Sequence, residues 1–249
     1  MKKFFVFLSI ILIGLFSYAE TLNQILAKNY ATRGGLEKLR SVKTIYFEGK
    51  MVNSQQNNEI QMKMWYKKPN KVRNEVNLMG KKIVQAYNGK EAWWIMPFIS
   101  PEPKPIPEEQ AKYVKEMSSN IFPLVDYQKE GSKLELVGKD DVEGTEAYKL
   151  KLTTKSGKII YYYLDADSGI ELKAETNLSK NGVESKSETY FSDYKKVNGI
   201  YFPFYIETKS KGLTAGKIVF STIKLNLNID DSIFDMPKPK KTETKKHNK

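Results

Sequence analysis

The sequence predicts a mainly β protein with some helix: an antiparallel meander of roughly ten or eleven strands, more than one flat sheet holds without curling. Three observations carry this. From Thr44 the apolar residues recur with period two, as on a strand with one buried face. Turn signals return about every ten residues, which joins neighbouring strands by short hairpins. Several segments are apolar on both faces, so both faces of the sheet need a cover.

The chain opens with Lys2 and Lys3, an apolar run from Phe4 to Phe16 in which Ser9 is the one polar residue, and Ser17-Tyr18-Ala19 before Glu20. Small residues at 17 and 19 match the pattern that a signal peptidase reads. The run is shorter than the roughly 20 residues a membrane-spanning helix needs. Residues 1–19 read as a cleaved export signal; an uncleaved anchor is the alternative. Export places the mature chain in an envelope or extracellular compartment. Residues 20–236 then form one domain, and 237–249 a basic tail.

Leu22, Ile25, Leu26 and Tyr30 recur at spacings of three and four, an amphipathic helix. Gly34-Gly35 ends it, and Leu36 to Leu39 adds a further turn. In the first strands Ile45, Phe47 and Met51 alternate with Tyr46, Glu48 and Lys50, and Ile60, Met62, Met64 and Tyr66 with Gln61, Lys63 and Trp65. Turns are expected at Pro69-Asn70, Met79-Gly80, Asn88-Gly89, Glu143-Gly144, Ser156-Gly157, Ser168-Gly169, Asn181-Gly182 and Asn198-Gly199. Asn-Gly is a hairpin signal because a type I′ turn needs positive φ at both central residues. The two-sided segments are Ala92 to Met96, Ile159 to Leu164 and Ile218 to Phe220.

One stretch interrupts the strands. Pro97, Pro101, Pro103, Pro105 and Pro107 make a stiff extended arm that is barred from a central strand. Glu108 to Ser118 then reads as a helix with Ala111, Val114 and Met117 on one face, continued by Ile121, Phe122, Leu124 and Val125. It is either a lid over the second apolar face or an ordinary helix closing the core.

Composition narrows the chemistry. The chain has 249 residues, no Cys and one His. Disulfides, thiolate metal sites and Cys nucleophiles are thereby excluded. His247 lies in the tail, which leaves no His triad and almost no zinc chemistry for the body. The formal charge is +12, and the tail from Pro237 holds six lysines against Glu243. That tail is either a solubilising segment or a contact for anionic lipid headgroups; an exported chain seldom meets nucleic acid. Asp140, Asp141 and Glu143, and Asp165 and Asp167, sit beside turn glycines and read as exposed turn residues rather than a catalytic pair. No cofactor motif appears, and enzymatic activity is not expected. The 15 Tyr, 12 Phe and 8 Met suit a cavity for varied apolar ligands as well as a plain core.

Several motifs, in order along nearly the whole mature chain, resemble the LolA-like family of outer-membrane lipoprotein-sorting proteins, the periplasmic lipoprotein carriers. They are Thr32-Arg33-Gly34-Gly35-Leu36-Glu37-Lys38-Leu39, Met64-Trp65-Tyr66-Lys67-Lys68-Pro69-Asn70, Tyr87-Asn88-Gly89-Lys90 with Trp93 to Phe98, and Ser232-Ile233-Phe234-Asp235-Met236-Pro237. The resemblance implies an incomplete antiparallel β-barrel closed by an N-terminal helix and a mid-chain lid helix. It implies a periplasmic carrier that receives acylated lipoproteins from an inner-membrane release complex and passes them to an outer-membrane acceptor, with transient membrane contact. A carrier or sensor of free lipid or glycolipid, or a partner-binding stress sensor, is the alternative. Where the family has an arginine before the loop proline this chain has Lys68, which keeps the charge but loses the planar fork of donors. On this reading Met62, Met64, Val72, Trp94, Met96, Phe98, Tyr161, Tyr163 and Phe220 are the expected lipid contacts. Val114, Met117, Phe122 and Lys68 are the expected lid residues.

Overall fold

A computed structural model describes residues 20–52, 58–119, 121–180 and 183–238. The proposed export signal, most of the basic tail with His247, and the Asn181-Gly182 turn lie outside the described residues. Two helices, α1 (Leu22–Arg33) and α2 (Leu36–Ser41), precede six strands: β1 (Thr44–Val52), β2 (Glu59–Lys67), β3 (Lys71–Leu78), β4 (Lys81–Tyr87), β5 (Ala92–Met96) and β6 (Ser100–Pro105). Helix α3 (Glu108–Ser119) follows. Seven more strands complete the domain: β7 (Lys133–Val142), β8 (Thr145–Thr153), β9 (Ile159–Asp165), β10 (Glu171–Lys180), β11 (Val183–Val197), β12 (Ile200–Ser210) and β13 (Leu213–Leu225). A 3-10 turn, Asp231–Phe234, ends it.

All described strands join one antiparallel sheet in the order β6-β5-β4-β3-β2-β1-β13-β12-β11-β10-β9-β8-β7. The sheet is two meanders fused where β1 pairs with β13, Ile45 opposite Leu225. Its edges, β6 and β7, do not pair, so the barrel is incomplete. The crossover from β6 to β7 must travel from one edge to the other, and α3 and residues 121–132 make that journey. The structure has thirteen strands rather than ten or eleven. One of the additions is the proline arm: Pro105 and Lys104 lie opposite Trp93 and Trp94. An edge strand bonds on one side only, so it accommodates prolines that a central strand would reject.

Helix α1 begins with a capping box in which Thr21 and Gln24 bond reciprocally. It ends at Gly34, whose φ of 118° closes the last turn through its N–H to the Ala31 carbonyl, with Gly35 N–H reaching Tyr30. Ile25 and Leu26 are buried against Leu134, Leu150, Leu152, Tyr162 and Leu164 from β7, β8 and β9. Asn29 Nδ2 donates to the Gly169 carbonyl at 2.8 Å, and Lys28 Nζ to Ala166 at 2.9 Å, which fixes the helix over the β9–β10 turn. Helix α3 covers the other half of the same face. Its Ala111 and Val114 are buried against Val72, Tyr87 and Ala92 of β3, β4 and β5. Burying a valine such as Val114, fully inaccessible here, stabilises by roughly 1.5–3 kcal/mol.

The two-sided strands are covered in two ways. On β5, Trp94 faces α3, while Trp93 points to the outer face beneath the C-terminal segment. Trp93 is fully buried there and donates Nε1–H to the Phe234 carbonyl at 2.7 Å. On β9, Tyr162 faces α1, whereas Tyr161 and Tyr163 face outward. Among the described residues no helix covers them. Lys149 lies 5.3 and 5.2 Å from their ring centres and Lys173 4.1 Å from Tyr163. The ammonium groups themselves lie over the rings and also reach Glu175 and Glu188 or Asp140.

Candidate functional site

The two helices leave the middle of the concave face uncovered. There, β1, β2, β13, β12 and β11 present Phe47, Met64, Tyr66, Phe220, Ile218, Phe202, Ile206 and Phe191, and β9 adds Tyr162. Period-two alternation puts all of the β1 and β2 members on one face. Aromatic contacts stiffen this floor: Phe47 and Phe220 are 5.0 Å apart, Phe47 and Tyr66 6.0 Å. The crossover loop after α3 roofs it with Ile121, Phe122 and Pro123. Between floor and roof is a cavity of about 310 Å³, within the range that holds small ligands. A wider groove of about 840 Å³ shares Pro123 and Tyr162 as walls and runs beside Tyr113, Met117, Ile160 and the Thr154–Lys158 turn.

The loop that forms the roof is tied down at its far end. Tyr30 donates its hydroxyl to the Leu124 carbonyl at 2.6 Å. Arg40 of α2 forks onto Asp126, with Nη2 2.7 Å from Oδ1. The hydrogen bond from Arg40, helped by Lys129, holds the Asp126 carboxyl below its usual range. Asp126 has φ 56°, a left-handed conformation that Asp tolerates better than most side chains. Lys68 donates to the Arg40 carbonyl at 3.3 Å; burial lowers its pKa. Burial likewise raises the pKa of Glu130, which also lines the groove.

One wall of the cavity is polar. Arg33, the last residue of α1, meets Glu171, the first of β10, at 2.6 Å. Both side chains are almost buried, 11% and 12% exposed. Arg33 Nε donates to the Tyr201 carbonyl at 2.7 Å, and its guanidinium lies 5.8 and 5.9 Å from the Phe122 and Phe202 ring centres. Tyr194 donates its hydroxyl to the Glu171 carbonyl at 2.8 Å. Glu171 Oε2 is buried with no hydrogen-bond partner among the described residues. Tyr66 and Tyr162 also face the cavity; enclosure raises both phenols, that of Tyr66 to about 12. Among the described residues no three His, Asp or Glu side chains group as a metal site, and no helix is long and apolar enough to cross a membrane.

The expected contact and lid residues are spread over several places. Met64, Phe220 and Phe122 line the cavity, and Met117 lines the groove. Met62 is buried in the core beside the cavity, and Val72, Trp94 and Val114 are packed together under α3. Val114 packs against Val72, Tyr87 and Ala92 and does not line the cavity. Met96 lies further along the Trp94 face of β5, half-buried and away from the cavity; Phe98 is 49% exposed at the next turn, with Lys81 against its ring. Tyr161 and Tyr163 are on the outer face, and the cavity position belongs to Tyr162 between them. An all-aromatic run gives no parity signal, so the choice of face waited for the register. Sequence reasoning also missed Arg33, Glu171, Tyr194 and Phe202. Arg33 stood in a quoted motif, but its partner is 138 residues away.

A scan against models of known families and a search of curated proteins found no match. Solved structures do match. The LolA superfamily protein NE2245 from Nitrosomonas europaea is 15% identical, with 87% of this chain and 98% of that one covered and a TM-score of 0.59. A DUF1329 family protein from Desulfovibrio piger is 18% identical over 83% of this chain and 95% of its own, TM-score 0.56. A proposed outer membrane lipoprotein-sorting protein domain from Vibrio parahaemolyticus is 13% identical over 85% and 95%, TM-score 0.57. At such identities the likeness speaks for the fold alone, and the fold of this chain is LolA-like.

Proposed function

We propose that this protein is a periplasmic carrier that encloses the acyl chains of lipoproteins and shuttles them toward the outer membrane. The observation that carries the reading is the apolar cavity between the two helices, walled by the sheet and roofed by Ile121, Phe122 and Pro123. Burying hydrocarbon is worth roughly 0.8 kcal/mol per methylene, so a chain of about sixteen carbons resists leaving a membrane by about 12 kcal/mol. A carrier must offset most of that cost and still release its cargo. A floor of Met and aromatic side chains under a loop rather than under a packed helix suits such intermediate affinity.

The position of the groove supports exchange at a membrane. Its Thr154–Lys158 turn lies at the same end of the sheet as the β3–β4, β5–β6 and β12–β13 turns, because antiparallel turns alternate between ends. Exposed apolar side chains occur at or beside these turns: Met79 (84%), Ile99 (79%) and Leu213 (75%), with Phe98. Lys81, Lys155, Lys158 and Lys211 belong to the same turns. Apolar tips among cations suit shallow contact with anionic headgroups.

The test has two parts. The protein is purified from its native envelope and its bound material identified by native mass spectrometry; acylated peptides are expected, and free lipid alone would favour a lipid carrier instead. A photo-crosslinker at Met64 should trap lipoprotein well above one at the exposed Lys90. Equal trapping at both positions refutes carriage in this cavity.

A further inference from the structure

The cavity is not uniformly greasy, and its polar wall has a direction. Glu171 offers two carboxylate oxygens. Oε1 is taken by Arg33 Nη1 at 2.6 Å, while Oε2 is buried without a partner among the described residues. Leaving a buried acceptor unpaired costs free energy comparable to a lost hydrogen bond, more for a charged group. Arg33 gives one N–H to Glu171 Oε1 and another to the Tyr201 carbonyl, and its faces pack against Phe122 and Phe202; none of these contacts reaches Oε2. The pair is neutral as a whole, so it does not call for an ion of either sign. The Tyr194 hydroxyl is spent on the Glu171 backbone carbonyl. What Glu171 Oε2 lacks is a donor.

We propose that the polar wall is a head-group subsite: Glu171 Oε2 accepts a hydrogen bond from an N–H or O–H that lies next to the acyl chain of the bound amphiphile. The apolar floor of Phe47, Met64, Ile218 and Phe220 takes the chain, and Glu171 reads the nearest N–H or O–H of the head group that follows it. The inference rests on acyl-chain carriage and adds a rule for which chain ends are accepted. An amide N–H of an acylated protein terminus and a free hydroxyl of a glycerolipid both satisfy it. An ester end with acceptors alone does not, because it would set oxygen against oxygen.

The experiment is displacement of the fluorescent probe N-phenyl-1-naphthylamine from the whole mature protein by three twelve-carbon amphiphiles. These are N-lauroylglycinamide, 1-monolauroylglycerol and methyl laurate. Burial of apolar surface alone ranks methyl laurate first. The subsite reverses that order: the two donor-bearing compounds should displace the probe at roughly tenfold lower concentration, the worth of one good buried hydrogen bond. Preference for the amide points to acylated protein as the natural source, preference for the glyceride to lipid. Glu171→Gln keeps an oxygen for Arg33 and puts an N–H₂ where Oε2 was. In that variant, checked for folding by circular dichroism, methyl laurate should gain and the donors lose. Displacement that follows hydrophobicity alone overturns the subsite, and so does a Gln variant with unchanged ranking. If the variant does not fold, the wild-type series decides by itself. Failure of all three compounds to displace the probe would remove carriage of acyl chains, and the subsite with it.

Discussion

Replacing Arg33 by methionine strands the Glu171 carboxylate in a nearly closed wall. The two side chains are 11% and 12% exposed, so water does little to compensate the lost partner. Breaking a buried pair from one side costs about 3–5 kcal/mol, a large part of the 5–15 kcal/mol by which a domain is ordinarily stable. Arg33→Met should therefore lower the urea midpoint sharply, with the slope of the transition unchanged. Replacing both partners, Arg33→Met with Glu171→Leu, removes the stranded charge. What then remains is the Tyr201 carbonyl without its donor, about 1 kcal/mol. The cycle of single and double variants should give a coupling of at least about 2 kcal/mol. Unfolding in urea followed by fluorescence of the three tryptophans measures it. Additive losses, with coupling below about 0.5 kcal/mol, would refute the claim that the pair is a desolvated unit. The double variant also bears on the head-group subsite. It keeps an apolar cavity but loses the acceptor, so chain binding should survive and discrimination among head groups should vanish.

Other consequences are sharp enough to measure. A Cβ on Gly34 would lie 2.1 Å from the Gly199 carbonyl oxygen at a φ of 118°; Gly34→Ala should cost more than about 2 kcal/mol, strain and clash together. Gly80→Ala, at φ 74° with open space around it, should cost only about 1 kcal/mol, and equal losses in thermal melts would contradict the close approach of α1 to the β11–β12 turn. Arg40 holds the Asp126 carboxyl below its unfolded value, so the latch on the roof loop contributes fully above about pH 4 and fades as pH falls through the lower folded value. Since Asp126 is a quarter exposed, Asp126→Asn should cost less than about 1 kcal/mol near neutrality and flatten the acid limb of stability against pH; an unchanged acid limb would dismiss the latch.

The alternation of Ile45, Phe47, Met62, Met64 and Tyr66 and the regular Gly-containing turns were enough to read an antiparallel meander, because strand period and turn conformation are local properties. The helical segments before and between the strands, observed at Leu22–Arg33 and Glu108–Ser119, were legible for the same reason. Proline chemistry confined Ser100–Pro105 to the periphery but did not reveal that an edge was there to receive it. In the site, Met64, Phe220 and Phe122 were readable as apolar residues on apolar faces. Tyr162 was not, since Tyr161, Tyr162 and Tyr163 are chemically alike and only the pairing of β9 with β8 and β10 sends the middle one inward.

By itself the sequence determined most of the building blocks of this protein: the majority of its strands and their turns, the helical stretches, and that no Cys or body His is available for chemistry. These follow from interactions between residues close in the chain. Only the tertiary structure decided that β1 closes onto β13, that the crossover loop rather than α3 roofs the cavity, and that Arg33 and Glu171 meet there. Those outcomes depend on contacts between segments 86 or more residues apart, whose geometry exists only once the sheet has curled and the two helices have divided its concave face.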